Sequence, residues 1–234
     1  MIVPSPQLPL ALRFPPDQRF ETFVADDSSV LAPLRALASD DAGGSLYVAG
    51  PHGTGKTHLL IATCAEAEAG GDSVGYLRLA SMAGRLRDAL DAMHARSLVA
   101  LDGVEAIAGN RDDELALFDF HNRMHDAGHA LLYAATEMPD ALPIALPDLR
   151  SRLQQCTRIV LPVLDDDGRR EVLRLRAVRR GLQVDDAAID WLLRRVDRDL
   201  SSLTALLDRL DRAALAAQRR ITVPFLRRFF DDAR

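Results

Sequence analysis

Five short apolar runs, at residues 46–49, 74–79, 98–101, 130–135 and 158–162, are separated by longer stretches whose apolar positions recur with a helical period. Runs of that length without polar alternation predict strands buried on both faces. Strands that alternate with helices predict a parallel sheet covered by helices on each side. Beyond residue 162 the strand signal stops and the period becomes helical throughout. Residues 169–180, 185–196, 200–218 and 223–230 then read as four amphipathic helices. The pattern therefore predicts an α/β unit with a five-stranded parallel sheet, followed by a small all-α unit.

Between the first run and its helix lies Gly50-Pro51-His52-Gly53-Thr54-Gly55-Lys56-Thr57. This matches G-x-x-x-x-G-K-[ST], the phosphate-binding loop of P-loop nucleotide hydrolases, in the strand–loop–helix context the motif requires. Gly50, Gly53 and Gly55 allow the turn, and the amides of Gly53, Thr54, Gly55 and Lys56 can meet phosphate oxygens at a helix N-terminus. Lys56 is the only lysine among 29 basic residues. A slender ammonium can enter such a loop and bridge phosphate oxygens, whereas a planar guanidinium is too wide. The expected ligand is ADP or ATP, with the Thr57 hydroxyl turned toward Mg²⁺.

The third apolar run ends at Asp102, where a carboxylate can order the Mg²⁺ water shell opposite Thr57. Many ATPases place a second acid directly after this aspartate to activate water. Here that position is Gly103, and Glu105 stands out of register, so weak hydrolysis by this chain alone is expected.

Composition narrows the setting. The 234 residues are 48% hydrophobic and 27% charged, enough for a sizeable core. Two cysteines, Cys64 and Cys156, are too few for a disulfide framework and fit a cytoplasmic protein. No signal peptide or membrane-spanning run is expected. A net charge of −5 argues against a free-standing nucleic-acid binder, so contact with DNA is expected mainly through a partner. His121, His125 and His129 recur every four residues, but the first pair lacks the intervening glutamate of a metalloprotease and Gly128 ends the helix before His129. They are read as incidental side chains of a surface-exposed helix.

The phosphate loop, the helical lid, the strand end Ala135-Thr136-Glu137 and the run Leu146-Pro147-Asp148-Leu149-Arg150-Ser151-Arg152-Leu153 together resemble an AAA+ ATPase of the DnaA group. The resemblance implies that Arg152 is an arginine finger projecting into a neighbouring subunit's nucleotide site, with Arg150 as the alternative donor. It implies that Arg198, within Val196-Asp197-Arg198-Asp199-Leu200, contacts the nucleotide as sensor 2, and that Glu137 stands at sensor 1, where an aspartate or asparagine is more usual. Domain boundaries follow: a flexible tail at 1–25, the AAA+ domain at 26–163 and the lid at 164–234.

Gln7-Leu8-Pro9-Leu10-Ala11-Leu12 is similar to the Gln-Leu-x-Leu-Pro-Leu peptide by which proteins dock on the bacterial sliding clamp, with Ala11 in place of its proline. Leu8, Leu10 and Leu12 at alternate positions can enter a groove while Gln7 supplies a directional hydrogen bond. No room is expected after the lid for a helix-turn-helix DNA-binding domain. The combination resembles the Hda family of DnaA-homologous regulators. For that family the resemblance implies an ADP-bound protein, tethered to the DNA polymerase III sliding clamp, that supplies its finger to ATP-bound DnaA and so prevents re-initiation; it leaves room for a homo-oligomer. A helicase loader or transposition helper shares the loop and lid but has no need of residues 7–12.

Overall fold

A computed structural model describes residues 14, 18–24, 29–39, 43–82, 84–195, 200–217 and 220–231. In chain order it contains α1 (Leu31–Ser39), β1 (Gly44–Ala49), α2 (Lys56–Gly70), β2 (Val74–Arg78), α3 (Leu86–Asp91), β3 (Leu98–Asp102), α4 (Arg111–Asp126), β4 (Ala130–Ala135), α5 (Pro147–Gln155) and β5 (Thr157–Val160). Four helices complete it: α6 (Asp166–Arg179), α7 (Asp186–Arg195), α8 (Leu200–Ala217) and α9 (Val223–Asp231).

The five strands form one sheet in the order β2-β3-β4-β1-β5, and every pairing is parallel. Every residue of β3 and β4 is buried, which explains the unbroken apolar runs. Alternate side chains serve opposite faces. Tyr47, Leu101, Leu131 and Tyr133 pack with Leu117 and Phe120 of α4 and Leu149 of α5. Leu46, Val48, Ala100 and Leu132 pack with Leu34 of α1, Leu59 and Leu60 of α2, and Phe20. At roughly 1.5–3 kcal/mol for each large apolar side chain buried, these two layers dominate the stability of the sheet domain.

β5 ends at Val160, two residues before the expected boundary. Leu161 still donates its amide to the Ala49 carbonyl at 2.8 Å, but Pro162 has no amide and the ladder stops. β2 likewise ends at Arg78, because Leu79 begins a 3-10 turn. At the front of the chain, residues 18–24 pack onto the domain and Phe20 is 2% exposed. The expectation of a flexible tail through residue 25 therefore does not hold for these residues. Phe20 is a large aromatic that gains more from the α1–α2 face than from solvent.

The lid helices enclose their own core. Leu173, Ile189, Leu193, Leu203 and Leu207 join α6, α7 and α8, while Leu192, Leu210, Ile221 and Leu226 join α7, α8 and α9. Arg170 bridges to Asp190 at 2.7 Å and Arg174 to Asp186 at 2.8 Å, tying α6 to α7 along a largely exposed face. Surface pairs of this kind contribute on the order of 0–1 kcal/mol each, so the leucine core carries the packing.

Candidate functional site

The strand order determines where a ligand fits. β1 lies between β4 and β5 and the chain leaves it at the carboxyl edge, so its following loop faces the crevice at which open parallel sheets bind ligands. Gly50 anchors the loop by donating its amide to the Ala135 carbonyl at 3.2 Å. A Cβ at Gly50 would meet the Leu161 carbonyl oxygen at 2.6 Å, and one at Gly55, where φ is 94°, would meet the Phe23 ring at 2.7 Å. Gly55 is the N-cap of α2 and offers no side-chain cap. The first helical bond runs from the Leu59 amide to the Gly55 carbonyl, so the amides of Lys56, Thr57 and His58 have no helical acceptor and face the loop.

A cavity of about 570 Å³ opens there. His52, Gly53, Thr54, Gly55, Lys56 and Thr57 line it from the loop, Asp102 and Glu105 from the end of β3, and Arg78 from the end of β2. Phe23 and Val24 close one side, and Val172 and Arg176 reach it from α6. Lys56 is 8% exposed, and its Nζ donates to the Gly50 carbonyl at 2.5 Å and the Pro51 carbonyl at 2.8 Å. Burial lowers the pKa of this ammonium, while the nearby carboxylates of Glu105 and Asp102 act in the opposite direction. Thr54 Oγ1 donates to the Pro51 carbonyl at 3.0 Å and stiffens the turn.

Asp102 Oδ2 accepts two hydrogen bonds, from Thr57 Oγ1 at 2.7 Å and from the Tyr76 hydroxyl at 2.7 Å. Burial, followed by the charge and hydrogen bond of Asp102, raises the Tyr76 pKa well above the usual phenol value, so Tyr76 remains a donor across neutral pH. Thr57 and Asp102 thus form a two-oxygen pair suited to a hard cation that keeps much of its water. Among the described residues there is no group of three or more His, Cys, Asp and Glu able to hold a metal.

The segment before α1 forms a collar. His58 Nε2 lies 2.8 Å from the Arg19 carbonyl and 3.1 Å from Thr22 Oγ1, and its ring meets Phe23 edge-on at 5.5 Å between centroids. Residues 18–24 thereby form one wall of the cavity.

Gly53, Thr54, Gly55, Lys56, Thr57 and Asp102 line one cavity, and Gly50 joins them through its carbonyl on Lys56. Glu105 corrects the sequence reading. Gly103, at φ 88°, turns the chain into a 3-10 turn at Val104–Ala106 and brings Glu105 to the cavity, where its Oε2 accepts the Thr136 amide at 3.1 Å. Glu137 is exposed and does not line the cavity; its carbonyl accepts the Tyr47 hydroxyl at 2.9 Å. Sequence reasoning also passed over Tyr76, Arg78 and Arg176. Only Tyr76 left a signal, as a polar-tipped residue in the strand beside the one ending in Asp102.

Arg152 lies on α5 and does not line the cavity. Its charge is felt at His121, which is 5% exposed and whose Nδ1 lies 2.9 Å from the Tyr133 hydroxyl. Burial first, then Arg152 and His125, lower the His121 pKa to about 4. His121 is therefore a core histidine, and its stacking with His125 at 6.5 Å is packing. Arg150 donates to the Ile144 carbonyl and is held against its own loop. Gln7, Leu8, Leu10, Leu12 and Arg198 lie outside the described residues. Among the described residues no helix is long and apolar enough to cross a membrane.

Residues 46–161 match the family of ATPases associated with various cellular activities (AAA), and residues 166–230 match the Hda lid domain. Domain III of the Thermotoga maritima replication initiation protein DnaA superposes with a TM-score of 0.78 at 20% identity, over 91% of this chain and 95% of that one. AMPPCP-bound DnaA from Aquifex aeolicus gives a TM-score of 0.70 at 20% identity, over 84% of this chain and 66% of that one. The Thermotoga maritima RuvB Holliday junction branch migration motor gives 0.66 at 17% identity, over 92% of this chain and 71% of that one. At these identities the likeness to the solved structures is one of fold.

Proposed function

The chain is an Hda-like AAA+ protein homologous to DnaA, and from that premise we propose that it is an ADP-bound negative regulator of chromosomal replication initiation. It acts on DnaA, to which it supplies Arg152 as a finger in trans. The observation that carries this reading is the pairing of an assembled nucleotide cavity with glycine at the position after Asp102. Such a site can hold nucleotide firmly and yet lack the acid that most ATPases place there, which suits a protein whose catalytic effect falls on a partner.

The AMPPCP in DnaA of the same fold supports an adenine nucleotide here. The loop amides and Lys56 would hold its phosphates, and the collar of residues 18–24 would shield it from water. Mg²⁺ would be held by Thr57 and Asp102 and would neutralise phosphate charge. Arg198, in the lid, would contact the same nucleotide. Arg152 stands away from this chain's own cavity, as a residue serving another subunit's site must. A guanidinium supplied in trans is worth roughly 10³ to 10⁵ in rate at a γ-phosphate.

Gln7, Leu8, Leu10 and Leu12 would dock on the DNA polymerase III sliding clamp and bring the regulator to DNA indirectly. The working division is a tail carrying that peptide, the AAA+ domain up to 163 and the lid from 164, in a cytoplasmic protein that can self-associate.

The test follows labelled ATP pre-bound to DnaA, with this protein, ADP and the clamp loaded on DNA. Hydrolysis that accelerates only when the clamp is present supports the proposal. No acceleration with any nucleotide would overturn it and direct attention to helicase loading.

A further inference from the structure

The net charge of −5 hides a division of charge along the chain. Residues 166–230 hold fifteen arginines against ten acidic residues, a balance of +5 that leaves −10 for the remainder. On the α6 side of the lid the arginines are neutralised, because Arg170, Arg174 and Arg180 meet Asp190, Asp186 and Asp208. The face where α7, α8 and α9 come together is built differently. Arg195 and Arg209 are exposed there, and among the described residues each is held over an aromatic ring and not by a carboxylate.

Arg195 Cζ lies 4.9 Å from the centroid of the Trp191 ring, and Arg209 Cζ lies 5.5 Å from that of Phe229. Phe230 joins the two rings, at 5.6 Å from Trp191 and, edge to face, 5.6 Å from Phe229. A continuous row therefore crosses the lid, with a cation at each end and three half-buried rings between them. The inner sides of these rings cover the core around Leu192, Leu210 and Leu226. Core packing accounts for that side alone, and the rest of each ring is open to solvent.

A guanidinium held over a ring is oriented before any ligand arrives, so it loses less freedom on binding and offers forked donors to a phosphate. Aromatic surface beside such donors suits unstacked bases, each of which has a flat face. A duplex keeps its bases stacked within, and an acidic peptide would use the cations and leave the rings idle. We propose that this face of the lid binds single-stranded nucleic acid, with Arg195 and Arg209 on phosphates and Trp191, Phe229 and Phe230 against bases. The inference stands apart from the nucleotide cavity and from any effect on DnaA. The acidic remainder of the chain repels the same polyanion, so the contact is local and sensitive to salt.

Trp191 is the only tryptophan, so its emission reports on the site directly. The full chain is titrated with fluorescein-labelled oligothymidylate at low salt, following label anisotropy and, with unlabelled oligonucleotide, Trp191 quenching. The two signals saturate together. Arg195→Ala combined with Arg209→Ala weakens binding by about tenfold and lowers the slope of log K against log salt by roughly 1.4, the value for two phosphate contacts on a single strand. Arg170→Ala combined with Arg174→Ala removes the same charge from the ion-paired face and changes affinity little; circular dichroism checks that every variant is folded. Equal weakening by both pairs would reduce the effect to overall charge and overturn the site. Binding without Trp191 quenching, or duplex DNA bound as well as the single strand, would overturn the stacking on which the proposal depends. Poly-glutamate that displaces the oligonucleotide at equal concentration would overturn it in favour of an acidic protein partner. No binding at low salt overturns it outright.

Discussion

Glu114 Oε2 accepts the Leu146 amide at 2.7 Å, joining the first turn of α4 to the residue that immediately precedes α5. The same carboxylate takes the Ala145 amide at 2.9 Å and the Gly109 amide at 2.7 Å through Oε1. Glu114 is wholly buried, yet three backbone donors compensate its desolvation. Glu114→Ala leaves those donors buried without a partner and is expected to cost about 3 kcal/mol or more. Urea unfolding at neutral pH measures the loss. Glu114→Gln, which keeps one acceptor oxygen but turns an amide toward an amide, falls between alanine and wild type.

His121 predicts a pH dependence of stability. Its folded pKa of about 4 lies below the ordinary value of 6.5, so at intermediate pH the unfolded chain binds a proton that the folded chain does not. The resulting stability is fully present above pH 6.5 and is lost as pH falls through about 4. The loss attributable to this residue is on the order of 3 kcal/mol. Buried among apolar groups, the ring faces Arg152, His125 and the Tyr133 hydroxyl. His121→Gln retains a polar partner for Tyr133 but cannot titrate. Chemical denaturation between pH 7 and 4 is expected to show a shallower decline in that variant; an identical decline would mean that other groups account for the acid sensitivity.

Tyr76 holds Asp102 from the neighbouring strand through a hydroxyl that burial keeps protonated. Tyr76→Phe removes that restraint and one of two donors from a carboxylate that would face the proposed Mg²⁺. The expected result is roughly a tenfold weaker Mg²⁺ dependence of ADP binding with little change in metal-free binding. Fluorescence titration of a labelled ADP at several Mg²⁺ concentrations separates the two. Equal weakening at all concentrations would show that Tyr76 supports the cavity walls and not the carboxylate.

The sheet and lid were legible because the central strands β3 and β4 are buried on both faces and appear as unbroken apolar runs, while the lid helices alternate leucine with arginine at a helical period. The loop from Gly50 to Thr57 was legible because phosphate binding demands particular residues at fixed spacing. Glu105 was not, because its approach depends on the backbone reversal at Gly103, a rotation that residue counting cannot follow. Glu114 escaped for a different reason. Its partners lie 31 and 32 residues away in a loop without periodicity, so a fully buried carboxylate looked like one more acid in a helix's first turn. The packing of residues 18–24 was missed because its flanks are rich in proline and polar residues, although Phe20 and Phe23 mark the apolar contacts.

Arg152 offers a prediction that is independent of any partner. α5 begins at Pro147, whose fixed φ suits a first helical turn, and Leu149 and Leu153 anchor its inner face, leaving Arg152 half-buried on the side nearest His121. The guanidinium is second only to burial in holding the His121 pKa down. Arg152→Ala therefore raises that pKa above about 4, toward 6.5. NMR titration of the His121 ring resonances reads the shift, and ADP affinity should hold because Arg152 does not line this chain's cavity. If Arg152 is also the finger, the same variant loses stimulation of DnaA-bound ATP hydrolysis by roughly 10³-fold or more. The two readouts separate placement from role. An upward shift with stimulation intact would leave the arginine where it is found and assign the finger to another residue, Arg150 first, although its bond to the Ile144 carbonyl would then have to break.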